Sequence, residues 1–277
     1  MFIMASILQQ IVSETRARFA AGVSLSRRRE LEKMAVSHQP RGFREALLHV
    51  AATGPAIIAE LKKASPSRGL IREQFSVVTL ATEMAEAGAA ALSVLTEEKH
   101  FSGSLENLRL ASQRVSVPCL RKDFIVHEAQ LLEARAYGGD AALLIVAALS
   151  DAELKSLATR AKELELAILC EVHDGEELRR ALAAGFDMIG VNNRDLRTFQ
   201  VTLETSARLS GDIPLTALRV AESGINSGVD IARLRSMGYQ AFLIGESLMK
   251  EANAGAALRK LLADAAQATT RHEVARQ

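Results

Sequence analysis

Glu60 and Lys62 stand two residues apart where an apolar run, Ala56–Leu61, gives out. In an extended chain that spacing puts both side chains on one face. A carboxylate and an ammonium held together there pair and shift each other's proton affinity, which is how proteins make general acids and bases. Lys122 and Glu171 close two further apolar runs in the same way. One such pair alone would serve equally well as a structural ion pair. Glu60, Lys62, Lys122 and Glu171 together, all at run ends, point to acid–base catalysis.

The other run ends add polar groups. They are Lys63 and Ser65, Thr96 and Glu97, Arg121 and Asp123, Asn192 to Asp195, Glu222 to Gly224, and Gly245 with Glu246. The opposite ends carry far fewer charges. Glu222-Ser-Gly-Ile-Asn226 and Ile244-Gly-Glu-Ser247 each place a glycine directly before a helix, where backbone N–H groups can approach a phosphate. No Walker loop is present, so nucleoside triphosphate binding is not supported. His173 is expected to face away from Glu171 and to serve the turn. His38, His49, His100, His127 and His272 lack ligand spacing and read as surface residues. Cys119 and Cys170 lie in apolar runs and read as free buried thiols of a reducing compartment. Neither shows the base or the exposure a nucleophile needs. No zinc-type spacing occurs, so no metal is expected.

Eight apolar runs carry these residues: Ala56–Leu61, Ala90–Leu95, Cys119–Arg121, Ala141–Ala147, Ala167–Val172, Met188–Asn192, Thr216–Ala221 and Ala241–Ile244. Amphipathic stretches such as Ser150–Leu164 and Glu176–Ala183 separate them. Ser150…Glu153 and Asp174…Glu177 have capping-box spacing and mark helix starts just past strand ends. Continuous apolar strands alternating with helices mean a parallel sheet buried on both faces. Gly88, Gly138, Gly185 and Gly238 recur about every 50 residues, each ending a helix shortly before a strand. Four such pairs of units close a (β/α)8 TIM barrel, whose active site lies at the carboxyl ends of its strands. A doubly wound sheet fits less well, since no G-x-G-x-x-G follows the first strand.

Residues 1–277 therefore read as one barrel domain, with 1–54 as an N-terminal helical extension marked by Ile7, Leu8, Ile11, Val12, Leu31 and Met34 at helical spacing. Arg27-Arg28-Arg29 is either a solvated face or part of a cover that adds positive potential at one barrel end. The composition agrees with an enzyme. In 277 residues, 48% are hydrophobic and 24% charged, which allows a large core and excludes disorder. Aromatics are 4% with no Trp, so the core is aliphatic. Thirty-four basic against 33 acidic residues leave no basic excess for nucleic acid. The longest apolar stretch, Ala141–Leu149, falls far short of the ~20 residues of a membrane span. The first residues lack the basic segment of a signal peptide. A cytoplasmic monomer acting on a small phosphorylated molecule is the expectation.

These residues closely resemble the indole-3-glycerol-phosphate synthase family of tryptophan biosynthesis, over nearly the whole chain. The resemblance is carried by Glu60-Leu-Lys-Lys-Ala-Ser-Pro-Ser-Arg-Gly69, Leu120-Arg-Lys-Asp-Phe124, Glu171-Val-His173, Gly190-Val-Asn-Asn-Arg-Asp-Leu196 and Ala221-Glu-Ser-Gly-Ile225. No second barrel follows, as in the monofunctional form. The resemblance implies a carboxy-lyase without metal or organic cofactor. Its substrate, 1-(2-carboxyphenylamino)-1-deoxyribulose 5-phosphate, becomes indole-3-glycerol phosphate, CO2 and water. Lys122 is then a principal general acid, and Lys62 either orients the substrate carboxylate or is an acid itself. Glu171 and Glu60 are the acid–base carboxylates, Glu171 nearer the dehydration. Asn192 and Ser223 position the substrate, with Glu222 alongside.

Ser65 and Arg194 suit the anthranilate carboxylate, for which arginine offers a planar fork. Phe124, Pro66 and Leu196 wall the ring, with Leu143 and Ile145 equally well simple core. Backbone at Gly224, Gly245 and Glu246 suits the phosphate. Ala64 stands where some members carry a lysine, a contact that Lys63 or Arg68 would replace. His127 stands where an acidic residue is frequent and starts a helix, with little effect expected. Three rivals rank lower: an isomerase with a Cys–Asp pair, a Schiff-base aldolase using Lys122 or Lys62, and a non-catalytic binding barrel.

Overall fold

The computed structural model describes residues 7–196 and 198–274. Residues 1–6, part of the expected helical extension, lie outside the described residues, as does the side chain of His272. Eight strands close a parallel barrel: β1 Ala56–Leu61, β2 Ala91–Leu95, β3 Cys119–Lys122, β4 Ala141–Ile145, β5 Ala167–Val172, β6 Met188–Asn192, β7 Leu218–Glu222 and β8 Ala241–Ile244. Pairing of Ala56 with Ala241 joins β8 back to β1. The two faces of each strand have different destinations. Ala56 and Ile58, Leu143 and Ile145, Leu218 and Val220, and Leu243 fill the barrel interior. Ile57, Ala59 and Leu61, with Leu144, Cys119 and Cys170, pack outward against the helices. Both faces are apolar because neither meets water.

The helices are α1 Ile7–Phe19, α2 Leu25–Val36, α3 Phe43–Ala51, α4 Val77–Glu86, α5 Leu105–Arg114, α6 Glu128–Ala136, α7 Asp151–Glu163, α8 Gly175–Ala183, α9 Glu204–Leu209, α10 Gly228–Ser236, α11 Glu246–Met249 and α12 Ala254–Val274. No described helix is long and apolar enough to cross a membrane. Gly88, Gly138, Gly185 and Gly238 take φ of 100°, 84°, 86° and 90°, the left-handed turn that ends a helix without a Cβ clash. Ser150 and Glu153 form the complete capping box of α7. Asp174 accepts from the Glu177 N–H, but the Glu177 carboxylate turns instead to His173. His127 caps α6, with Nδ1 accepting from the Ala129 N–H at 3.1 Å, and its ring stacks on Phe19.

The three helices ahead of β1 divide their labour. Phe43 and Leu47 of α3 join the interior cluster and plug the amino end of the barrel. Leu31 and Ala35 of α2 pack on Leu132 and Ala136 of α6. α1 crosses the carboxyl end. Its Glu14 accepts from Lys99 Nζ at 2.7 Å, and its Arg16 pairs with Glu153 at 2.6 Å, which ties the helix to the loop beyond β2 and to the first turn of α7.

Several sequence-based expectations need correction. β7 spans Leu218–Glu222 rather than Thr216–Ala221, because Pro214 leads into a turn closed by the Ala217 N–H donating to the Pro214 carbonyl. β4 stops at Ile145, where Val146–Ala148 tightens into a 3-10 turn, and β3 extends to Lys122. Of the two readings of the arginine run, the solvated face holds: the run lies on α2 and does not line the mouth cavity, with Arg27 paired to Glu30 and Arg28 to Glu32. His38 and His100 are not free surface residues, since each sits against a carboxylate, Asp140 and Glu14 respectively.

Candidate active site

Lys122 is the last residue of β3 and points into the barrel mouth. Its Nζ lies 3.3 Å from Glu171 Oε2 on β5 and 4.0 Å from Glu222 Oε2 on β7. Glu60 of β1 joins them and is ion-paired with Lys62. Strand alternation explains the convergence: each residue sits two positions beyond an interior apolar residue, Ile58, Leu120, Leu169 and Val220. Arg121, the neighbour of Lys122, faces the other way and is buried against Asp123, Glu133 and the Gln130 carbonyl. Its role is to tie β3 to α6.

The three carboxyls are almost fully buried, and the proton affinities of Glu171 and Glu222 diverge. Burial works against charge on Glu171, but Lys122, His173 and Asn192 outweigh it and hold the carboxyl well below the ordinary range. Burial and the neighbouring Glu171 charge push Glu222 upward instead. Glu222 Oε1 also has no hydrogen-bond partner. Burial would lower the Lys122 pKa, but Glu171, Glu222 and Glu60 together raise it. Beside the Glu60–Lys62 pair, the mouth thus sets Lys122 between two carboxyls whose proton affinities are pushed in opposite directions.

The expectation that His173 faces away from Glu171 is wrong. Residues two apart share a strand face, and His173 Nε2 lies 3.3 Å from Glu171 Oε1. The cysteines are buried, and burial pushes the Cys119 thiol up to about 12 and raises Cys170 as well. Neither is a nucleophile at neutral pH. No described group of three or more His, Cys, Asp or Glu side chains is placed to hold a metal ion.

Lys122, Glu171, Glu60, Lys62, Asn192, Ser223, Ser65, Arg194, Glu222, Phe124, Pro66, Leu196, Gly224, Gly245 and Glu246 all line one cavity of about 240 Å³. So do Leu143, Ile145 and Arg68, whereas Lys63 does not. Gly245 directly precedes α11, as expected. Gly224 lies four residues ahead of α10 rather than directly before it, in a turn where both Ser223 and Gly224 take positive φ, 63° and 78°. The Asn193 amide donates to the Glu222 and Ser223 carbonyls at 3.0 and 3.3 Å and holds that turn. The Glu246 carboxylate sits among Lys250 at 2.6 Å, Arg68 at 3.0 Å and Arg194 at 3.4 Å. Burial opposes its charge, but Lys250 and Arg68 hold it below the ordinary range.

Sequence reasoning missed the apolar roof. Ile7, Leu8 and Ile11 of α1, with Phe101, Phe199 and Val201, also line the cavity. Phe101 tilts against Phe124 with ring centroids 5.9 Å apart. The helical spacing of the α1 residues was visible, but spacing does not say which barrel end a helix covers.

Proton transfer between a charged lysine and carboxyls of opposed affinity is what this mouth is equipped for, which places the protein among the acid–base enzymes built on (β/α)8 barrels. The family model described as indole-3-glycerol phosphate synthase matches residues 8–261. The chain belongs to that family. It is 60% identical over 259 residues to the indole-3-glycerol phosphate synthase of Koribacter versatilis, covering 94% of this chain and 100% of the relative. It is 48% identical over 263 residues to that of Acidithiobacillus ferrooxidans, with 94% and 100% covered. The crystal structure of 3-hexulose-6-phosphate synthase from Salmonella typhimurium shares the fold alone, at a TM-score of 0.59 and 13% identity, covering 78% of this chain and 99% of that one.

Proposed function

We propose that this cavity converts 1-(2-carboxyphenylamino)-1-deoxyribulose 5-phosphate into indole-3-glycerol phosphate, CO2 and water. The observation that carries the reading is the position of Lys122, a half-buried cation between Glu171, whose proton affinity is lowered, and Glu222, whose proton affinity is raised. As the anthranilate ring carbon attacks the ribulose carbonyl carbon, Lys122 protonates the ketone oxygen. The carbon–carbon bond to the carboxylate then breaks, and its electrons restore the ring as CO2 leaves. The new hydroxyl departs as water with a proton from Lys62, or from Lys122 once solvent has reprotonated it, and Glu171 takes the proton released from the ring-closed intermediate. Each such transfer contributes about 10²–10⁴ in rate.

The rest of the cavity supports this substrate. Phe124, Pro66, Leu196 and the α1 roof offer an apolar slot for the aromatic ring. Ser65 and Arg194 carry the donors for its carboxylate, with Asn192 and Ser223 holding the sugar hydroxyls. Backbone at Gly224, Gly245 and Glu246 takes the phosphate, with Arg68 rather than Lys63 supplying the nearby charge. The whole chain acts as one barrel domain, with the helical extension as its roof and floor. A Schiff-base mechanism is disfavoured, because an imine needs a neutral amine and Lys122 is held as the cation.

The test is direct. Purified protein, without added metal, is mixed with the carboxyphenylamino-deoxyribulose phosphate, and indole fluorescence is followed against a background free of Trp. Product should form and should fall at least ~10²-fold in folded Lys122→Ala. No product from folded wild-type protein overturns the reaction; undiminished turnover in the variant overturns the assigned acid.

A further inference from the structure

His173 does not line the cavity, yet it is fixed more tightly than a turn requires. Glu177 Oε2 on α8 accepts from the His173 backbone N–H at 2.8 Å and lies 2.9 Å from ring Nδ1. The other ring nitrogen, Nε2, lies 3.3 Å from Glu171 Oε1, at ion-pair distance but out of line for a full hydrogen bond. A carboxylate oxygen therefore faces each ring nitrogen. A neutral imidazole would turn a lone pair toward one of them; only the imidazolium suits both.

The charged neighbours make this matter. Glu171 and Glu177 face the ring itself. Beyond Glu171, Lys122 from β3, Glu222 from β7 and Glu60 from β1 share the mouth. Two adjacent buried carboxyls do not both ionise cheaply. Glu171 has a cation at each oxygen, Lys122 at Oε2 and His173 at Oε1. Glu222 has only Lys122, at 4.0 Å, and a bare Oε1.

We propose that His173 is a positioning residue which, clamped by Glu177, fixes the Glu171 carboxylate and keeps it the anionic member of the Glu171–Glu222 pair. Burial opposes a charge on the ring, yet the two carboxylates carry its pKa up to about 10, so the clamp persists across neutral pH. The inference rests on the reading of Glu171 as the base.

The experiment compares pH profiles of kcat and kcat/KM for wild type, His173→Gln, Glu177→Gln and Glu171→Gln. Glutamine keeps a donor at position 173 without charge. The acid limb of kcat should move to higher pH by about one unit in His173→Gln, lowering kcat ~10-fold below the limb and restoring it above. KM should stay within about twofold, because the ring does not touch substrate. Glu177→Gln should shift the limb in the same direction by less. An unmoved limb in folded His173→Gln, with turnover intact or uniformly reduced, overturns the proposal. Should that variant not fold, the limb of Glu177→Gln decides in its place. An inactive Glu171→Gln beside unmoved limbs in the other two removes only the role of His173. An active Glu171→Gln removes the base itself, and the role of His173 with it.

Discussion

Glu222 lays its carboxyl against the bare Cα of Gly190 on the neighbouring strand. A Cβ at 190 would overlap Glu222 Oε1 and stand 3.1 Å from Leu169 Cδ1. Both residues face the interior, and the β6–β7 register pairs Gly190 with Val220 and Asn192 with Glu222. The glycine is therefore the recess that lets a carboxyl enter an otherwise filled barrel. Gly245 gives Glu60 the same room, since a Cβ there would stand 2.8 Å from that of Glu60.

Gly190→Ala is expected to push the Glu222 carboxyl out of its recess and away from its place beside Lys122. Turnover should drop ~10-fold or more, at a stability cost of about 1–3 kcal/mol, the usual price of overpacking. Steady-state kinetics and thermal melts check both. Full turnover in a variant that still folds would show that the carboxyl works from elsewhere.

At the amino end, Asp140 does not line the cavity and is expected to serve stability rather than chemistry. Its buried carboxylate accepts from Arg41 Nη2 at 2.6 Å and Nε at 2.9 Å, and from the N–H groups of Cys119 and Arg41 at 2.7 and 2.8 Å. Burial opposes its charge, but His38 and Arg41 hold it below 3.8. A lowered folded value gives stability that is present above 3.8 and lost as pH falls through it. Asp140→Asn should lose about 3–5 kcal/mol in urea unfolding at pH 7, with kcat of the folded enzyme unchanged. A kcat loss without a stability loss would reverse that assignment.

The apolar roof offers a test of binding separate from chemistry. Glu97 accepts from the N–H groups of Lys99, His100 and Phe101 at 3.1, 2.7 and 3.0 Å, which curls the loop so that Phe101 meets Phe124. Phe101→Ala should raise KM ~10-fold, or about 1.4 kcal/mol, with kcat within about twofold. Glu97→Ala should act in the same direction through the loop. A kcat defect at constant KM in either variant would contradict a role in binding.

The sequence was legible where physics is local. Period-two alternation brought Glu60 and Lys62 together, and helix-ending glycines every other unit counted the barrel. The same parity, applied to Glu171 and His173, should have put them on one face. What stayed hidden depended on distant partners. Nothing near Ile7, Leu8 and Ile11 states that α1 roofs the mouth, because Glu14 and Arg16 find Lys99 and Glu153 only after folding. Nor does local sequence separate Arg121 from Lys122; a shift of one residue would exchange the ion pair to α6 for the lysine at the mouth. The opposed affinities of Glu171 and Glu222 are likewise invisible in sequence, since burial, Lys122 and His173 decide the first, and burial with the Glu171 charge decides the second.

Those affinities make a last prediction, in which activity and stability part. Glu222 has a folded pKa raised above its ordinary 4.5, first by burial and then by Glu171. A carboxyl of that kind holds its proton more tightly in the folded chain than in the unfolded one. Its contribution to stability is complete below 4.5 and is lost as pH rises through the folded value. Glutamine has the shape but cannot ionise, so it escapes that loss. Glu222→Gln should melt with wild type at pH 4.5 and above it at pH 9, by about 2–4 °C for each kcal/mol recovered. Turnover should fall throughout, because the proton-holding carboxyl is gone. Melting curves across that pH range read the difference. A gap that stays flat with pH would place the proton on Glu171 instead and exchange the two carboxyls' roles.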